Sequence, residues 1–214
     1  MKILSHRGYW KDVDEKNSAE AFHRSFSMGF GAETDVRDFN QRLVISHDIA
    51  TGLEIDFTTF LNIASSSQSG VSLTLALNIK ADGLADSIRE ALEAHPKLDC
   101  FVFDMSVPDM RSYFDAGIPV FTRMSEVEQD PVWLERATGV LLDSFEFEWF
   151  EVSVIQRLLR EGKRVCIVSP ELHYRSYLEL WECIKPLAKE DNLLLCTDHT
   201  EQAVDFFEYR EGIT

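Results

Sequence analysis

Short apolar runs recur along the whole chain, each of strand length. They fall at residues 3–5, 32–36, 73–79, 100–103, 119–122, 139–142, 165–168 and 193–196. A further apolar triplet, Leu43-Val44-Ile45, reads as an added hairpin arm. Between the runs lie segments with helical spacing of apolar positions. Residues 18–28 place Phe22 and Phe26 on one face, with Asn17 and Glu20 set like a capping box and Gly29 as a stop. Residues 82–94 are amphipathic and end before Pro96, residues 107–115 end at Gly117, and residues 151–160 end at Gly162. Residues 174–189, ended or kinked by Pro186, and residues 200–208 complete the series.

Strand and helix signals that alternate imply parallel strands joined by helical crossovers. Eight such strands favour a single-domain (β/α)8 TIM barrel over residues 1–214. No composition shift marks a second domain. The one low-complexity patch, Ser65-Ser66-Ser67-Gln68-Ser69-Gly70, reads as an exposed loop.

Chemistry in such a barrel gathers where strands end, and polar residues fall at those points. His6 and Arg7 follow the first run, and Glu33 and Asp35 lie in the second. His47 follows the hairpin arm, and Asn78 and Lys80 close the third run. Asp104, Arg123, Asp143, Glu171 and Asp198 stand after the remaining five. Asp104, Asp143 and Asp198 read equally well as helix caps. Glu33 and Asp35 sit two apart in a strand, so both carboxylates point to one face. Such a pair is costly in apolar surroundings unless positive charge lies between them, and a divalent cation is the simplest candidate. Oxygen ligands without cysteine favour Mg²⁺ or Ca²⁺. His47 adds a proton carrier nearby.

Composition narrows the partners. A net charge of −16 argues against nucleic-acid binding or attachment to anionic membrane by the general surface. It leaves room for an anionic small molecule, since a metal and a few cations reverse the field locally. The four cysteines form no CxxC pair and read as reduced core residues. The first residues carry no signal-peptide pattern, no apolar stretch has membrane-spanning length, and a cytoplasmic location is expected.

The order of the motifs resembles one family. His6-Arg7-Gly8, Asn17-Ser18 with Ala21-Phe22, Glu33-Thr34-Asp35-Val36, His47-Asp48 and Ile79-Lys80 look like the glycerophosphodiester phosphodiesterases. These belong to the phospholipase-C-like phosphodiesterases, which are TIM barrels. The match covers roughly the first 80 residues by motif. The resemblance implies that His6 and His47 are the paired general acid and base and that Glu33 and Asp35 are metal ligands. It makes Arg7 and Lys80 phosphate-side cations and a glycerophosphodiester the small-molecule substrate. Two positions depart from the pattern. Asn78 stands where the family has a glutamate as third ligand, so a neutral carbonyl replaces a charge. Glu171, across the barrel mouth, is the candidate to complete the site on the metal or substrate side, or else a helix cap. Glu15-Lys16-Asn17-Ser18 replaces the usual Pro-Glu-Asn-Thr. His23 and His95 read as exposed helix residues; His173, within reach of the mouth, and His199, after the last run, read first as structural. Trp10 reads first as packing and second as pocket lining. The alternatives to hydrolysis of glycerophosphodiesters are a barrel that binds a phosphorylated ligand without turnover and a hydrolase of another phosphodiester, such as a glycopolymer linkage.

Overall fold

A computed structural model describes residues 1–67 and 72–207. Its strands are β1 (Lys2–His6), β2 (Gly31–Phe39), β3 (Arg42–Ile45), β4 (Thr74–Ile79), β5 (Asp99–Phe103), β6 (Phe121–Met124), β7 (Gly139–Leu142), β8 (Arg164–Val168) and β9 (Leu193–Thr197). Its helices are α1 (Ala19–Ser27), α2 (Phe57–Ser65), α3 (Ala85–Glu93), α4 (Val107–Asp115), α5 (Val152–Arg160), α6 (Leu178–Ile184) and α7 (Thr200–Phe207). Eight strands run parallel in the order β5-β4-β2-β1-β9-β8-β7-β6, and β3 pairs antiparallel with β2 as the hairpin arm. The ring closes between β5 and β6 through the Val102–Val120 bridge and the stacked rings of Phe101 and Phe121. This is the expected (β/α)8 barrel.

Register explains where the polar residues go. Side chains of one parity fill the lumen with Leu4, Ala76, Phe101, Phe121, Leu141, Cys166 and Leu194. The next residues of the same parity, two steps toward the C-terminal ends, include His6, Asn78, Arg123 and Asp143. Glu33 pairs in register with His6 and Ala76, and Asp35 with Asn78. A period-two strand therefore sends its lower residues into an apolar plug and its upper residues into the mouth. The opposite parity packs under the helices. Phe22, Phe26, Phe57 and Phe60 form one buried aromatic group there, with Phe22 and Phe60 centroids 4.6 Å apart.

Several local expectations change. Helix α2 adds to the expected series: Phe57, Phe60, Leu61 and Ala64 keep helical spacing behind an Asp56 cap, though over only nine residues. Ser65 closes that helix, and Ser66 and Ser67 follow it; residues 68–70 of the serine-rich patch lie outside the described residues. The cap of α1 is Ser18, whose hydroxyl accepts from the Ala21 amide, and Asn17 is left for another task. The segment 174–189 shortens to α6, because Tyr174 adopts a left-handed backbone and Pro186 enters a 3₁₀ turn. Cys100, Cys166 and Cys196 are buried as expected, whereas Cys183 is exposed on α6. Among the described residues no helix is long and apolar enough to cross a membrane.

Candidate active site

A cavity of about 300 Å³ opens at the C-terminal ends of the strands. His6, Glu33, Asn78, Lys80, His47 and His173 are among its lining residues. Larger hollows exist, including one of about 900 Å³ near the N-terminal ends of β1 and β2. The smaller one holds the convergent titratable groups, which is the criterion that matters for chemistry.

His6 ends β1 and is held by Asp198, which follows the neighbouring strand β9. The His6 Nδ1 to Asp198 Oδ1 distance is 2.8 Å. A carboxylate there fixes the proton on Nδ1 and leaves Nε2 as the acceptor. That nitrogen lies 4.0 Å from Glu33 Oε2. Burial lowers the His6 pKa, with Asp198 working the other way, so His6 favours the neutral, proton-accepting form. Burial opposes the charge on Asp198, yet His6 and Lys16 hold its carboxyl below the usual range.

The first loop is shaped by backbone that few residues adopt. Arg7 and Asn17 both take positive φ, 59° and 60°, and such conformations cost energy unless the surroundings fix them. Here the Arg7 amide donates to the Glu33 carbonyl at 2.9 Å and the Asn17 amide to the Arg7 carbonyl at 2.9 Å. Gly8 follows at φ 84°, where a Cβ would come within 2.9 Å of the Ala21 Cβ. Glycine is required there to seat the loop on α1.

Glu33 and Asp35 share a face, as expected, but their surroundings differ. Asp35 is fully buried: Oδ2 accepts from Asn17 Nδ2 at 2.9 Å and ion-pairs with Arg7 Nε at 3.0 Å, and Oδ1 ion-pairs with Lys80 Nζ at 3.2 Å. Asn17 also accepts from the Thr34 hydroxyl at 2.9 Å, which fixes its amide. Glu33 has no such partners, and its Oε2 is buried without a hydrogen-bond partner. Burial, and then the Asp35 charge, push its carboxyl up to about 8. Asn78 Oδ1 is likewise buried without a partner. Asp35 Oδ1 also has no hydrogen-bond partner, only the Lys80 ammonium at 3.2 Å, so three oxygens on adjacent strands face inward together, and oxygen donors of this kind fit a hard cation. Among the described residues no three His, Cys, Asp or Glu side chains form a metal cluster.

The remaining candidates are less alike than their spacing implies. His47 follows β3 and pairs through Nδ1 with Asp48 at 2.9 Å; its side chain is 47% exposed and that of Asp48 95%. Glu171 turns away from the cavity. Its carboxylate accepts from the Ser169 and Thr197 hydroxyls and from the Asp198 amide, at 3.1 Å for the last. It ties the exits of β8 and β9 together and so braces the carboxylate behind His6. Trp10 donates from its indole to the His6 carbonyl at 3.2 Å, and Lys16 lies over its ring.

Three acids that read equally as helix caps have other partners. Asp198 holds His6, Asp104 makes a two-point ion pair with Arg123, and Asp143 Oδ1 lies 2.8 Å from His173 Nε2. Asp143 continues the inward parity of Leu141, which is the sequence signal for it. His173 lies in a short 3₁₀ turn after β8, where no strand or helix period marks its direction.

No protein-family model matches the sequence, and no curated protein matches it by sequence. Solved structures do. A glycerophosphodiester phosphodiesterase from Agrobacterium tumefaciens superposes with a TM-score of 0.69 at 13% identity, over 98% of each chain. The fold is the one that phosphodiesterase has. A second glycerophosphodiester phosphodiesterase, from Parabacteroides distasonis, gives 0.66 at 16% identity, over 99% of this chain and 98% of that one. A Ca²⁺-dependent phosphatidylinositol-specific phospholipase C from Streptomyces antibioticus gives 0.56 at 10%, over 96% and 95%. A mutant tryptophan synthase α-subunit from Pyrococcus furiosus shares the barrel as well, with a TM-score of 0.58 at 14% identity over 98% of each chain. The likeness to the phosphodiesterases is one of architecture; chemistry has to be argued from the site.

Proposed function

We propose that the protein is a metal-dependent phosphodiester hydrolase that cleaves glycerophosphodiesters to glycerol phosphate and an alcohol. The observation that carries this reading is His6, a half-buried histidine oriented by Asp198 and facing Glu33 in a cavity that also holds Arg7 and Lys80. Phosphodiester cleavage needs one group to take a proton from the nucleophile and another to return one to the departing oxygen. His6 Nε2 suits the first task. His47, on the rim of the same cavity, is the second proton carrier by the motif pattern.

Arg7 and Lys80 supply positive charge beside the non-bridging oxygens, and Asp35 holds both cations in place from behind. Glu33 and Asn78 would hold a divalent cation, Mg²⁺ or Ca²⁺, through their free oxygens. Asp35 would join them through Oδ1, which only Lys80 shares, while Oδ2 stays with Asn17 and Arg7. When bound, the cation would polarise the phosphoryl group and hold Glu33 ionised. The Ca²⁺ dependence named for the Streptomyces antibioticus neighbour supports a cation at a site of this architecture.

The test is hydrolysis of a panel of glycerophosphodiesters by wild type, His6→Ala and His47→Ala, each with Mg²⁺, with Ca²⁺ and with chelator. Turnover that needs the metal and His6 is the expected result. Turnover unaffected by chelator removes the cation from the reading. Tight binding of glycerol phosphate with no turnover across the panel would make the barrel a phospho-ligand receptor instead.

A further inference from the structure

We propose that the rim of the barrel mouth docks on a zwitterionic lipid surface, one whose outermost groups are ammonium cations, and presents lipid-borne phosphodiesters to the cavity. The delivery of substrate rests on the phosphodiesterase reading above; the docking does not. An exposed apolar side chain is ordinary on its own, and placement is what gives it meaning. Ten large apolar or aromatic side chains are exposed among the described residues, and all but Met28 stand in segments that follow the mouth ends of strands. They are spread around the ring, with Val13 after β1, Leu53 beyond the β2–β3 arm, Val107 after β5, Val127 after β6, Phe147 after β7 and Tyr174 after β8. Two of them are held out by fixed backbone. The Glu54 carboxylate accepts from the Thr51 amide at 2.6 Å and from the Gly52 amide at 2.7 Å, closing a turn that leaves Leu53 94% exposed. Gly52 stands against the Phe39 ring at the tip of the arm, so this turn lies at the outer edge of the mouth. Tyr174 takes a left-handed backbone at φ 60°. Its amide donates to the Glu171 carbonyl at 3.0 Å and the next amide to the Pro170 carbonyl at 3.1 Å, and its side chain stands fully exposed at the cavity edge. The apolar ring and polar tip of tyrosine suit the boundary between lipid and water.

Charge selects the surface. Val13 lies between Asp12 and Asp14, Val127 between Glu126 and Glu128, and Phe147 between Glu146 and Glu148. Arg7, Lys16, Lys80 and Arg123 instead turn their charge onto acids within the barrel mouth. The outer edge therefore carries apolar tips among carboxylates. An anionic lipid surface repels such an edge, and so does a second copy of a chain with a net charge of −16. A second copy would also cover the mouth that substrate has to enter. Choline headgroups place an ammonium outermost, where the carboxylates can meet it while the apolar tips pass into the headgroup layer.

Flotation with phosphatidylcholine vesicles tests this, with phosphatidylglycerol vesicles alongside. Leu53→Asp combined with Phe147→Asp changes tips on opposite sides of the ring, since β2 and β7 stand four strands apart in its order. Met28→Asp puts the same charge beyond the far end of α1, away from the mouth. Wild type should float with phosphatidylcholine, and the double variant should lose about tenfold or more in partition coefficient. Met28→Asp should bind as wild type does, and all three proteins should melt at the same temperature. The double variant should also lose turnover of a long-chain alkyl ester of glycerol phosphate carried in the vesicles, while turnover of the soluble ethyl ester holds. A wild type that stays off phosphatidylcholine, tighter binding to phosphatidylglycerol, or an equal loss in Met28→Asp would overturn the docking. So would a dimer in sedimentation that the double variant dissolves, which would assign the rim to a second copy. Turnover of the ethyl ester without vesicle binding overturns the docking and leaves the phosphodiesterase reading standing. Vesicle binding lost in the double variant, with neither ester cleaved by wild type, upholds the docking and overturns that reading.

Discussion

Asp35→Asn separates two roles that a buried carboxylate can have. If Asp35 chiefly anchors Arg7 and Lys80, its charge is needed even without metal. If it chiefly waits for a metal, losing the charge relieves repulsion with Glu33 and stabilises the metal-free protein. The structure favours the anchor. Asp35 has no exposed surface, and three donors stand within 2.9–3.2 Å of it. Removing one partner from a buried charge network costs about 3–5 kcal/mol, because the opposite charges remain uncompensated. Arg7 and Lys80 keep 23% and 20% of their side-chain surface in water, so solvent recovers part of that loss. The expected cost therefore sits at the lower end, about 3 kcal/mol. For a chain of this size that corresponds to a fall in Tm of about 6–12 °C. Urea unfolding and thermal melts in chelator at neutral pH measure it. A variant as stable as wild type, or more stable, would refute the anchor and return Asp35 to the metal.

Glu33→Gln should have the opposite sign, with a distinctive pH dependence. The unfolded carboxyl ionises near its ordinary value and the folded one near about 8. Between those values the unfolded chain gives up its proton while the folded chain keeps it. The stability of wild type relative to the glutamine variant should therefore fall as pH rises from about 4.5 toward about 8. The glutamine variant should lack this slope in chelator, and a pH-independent gap between the two urea midpoints would contradict it. Asn78→Glu restores a charged third oxygen, and calorimetric titration should show Mg²⁺ or Ca²⁺ affinity rising on the order of tenfold. An unchanged affinity would place the cation elsewhere. Gly8→Ala meets both a positive φ and the Ala21 Cβ. It should cost about 2–4 kcal/mol by urea unfolding. Retention of full stability would mean that the first loop can shift away from α1.

The barrel was legible in the chain because its strands repeat one signal. Residues 139–142 and 107–115 were read to the residue as β7 and α4. Helix α2 stayed outside the expected series because its apolar spacing spans only nine residues, although Thr58, Thr59 and Asn62 give it an exposed polar face. The convergence of His6, Glu33, Asn78, Arg123 and Asp143 was also readable, since each continues the parity of an apolar residue below it. Pairing was not. Asn17 looks like part of a capping box and instead bridges Thr34 to Asp35. Glu171 looks like a group at the barrel mouth and instead grips Thr197 and the Asp198 amide.

By itself, then, the sequence determined the eight-strand alternation, the inward carboxylate pair and the histidine at the end of the first strand. These depend on periods of two and of 3.6 residues, which any local stretch displays. Only the tertiary structure decided which acid faces which base. His6 meets Asp198 from 192 positions away, and His173 meets Asp143 from 30. Such partners are set by strand order around the ring and by backbone direction at each exit, neither of which is written in local spacing. The same geometry divided the opening pair of carboxylates, giving Asp35 two ion pairs and the Asn17 amide and Glu33 neither. Their spacing made them look equivalent, and the neighbours brought by β1, β4 and the first loop made them different.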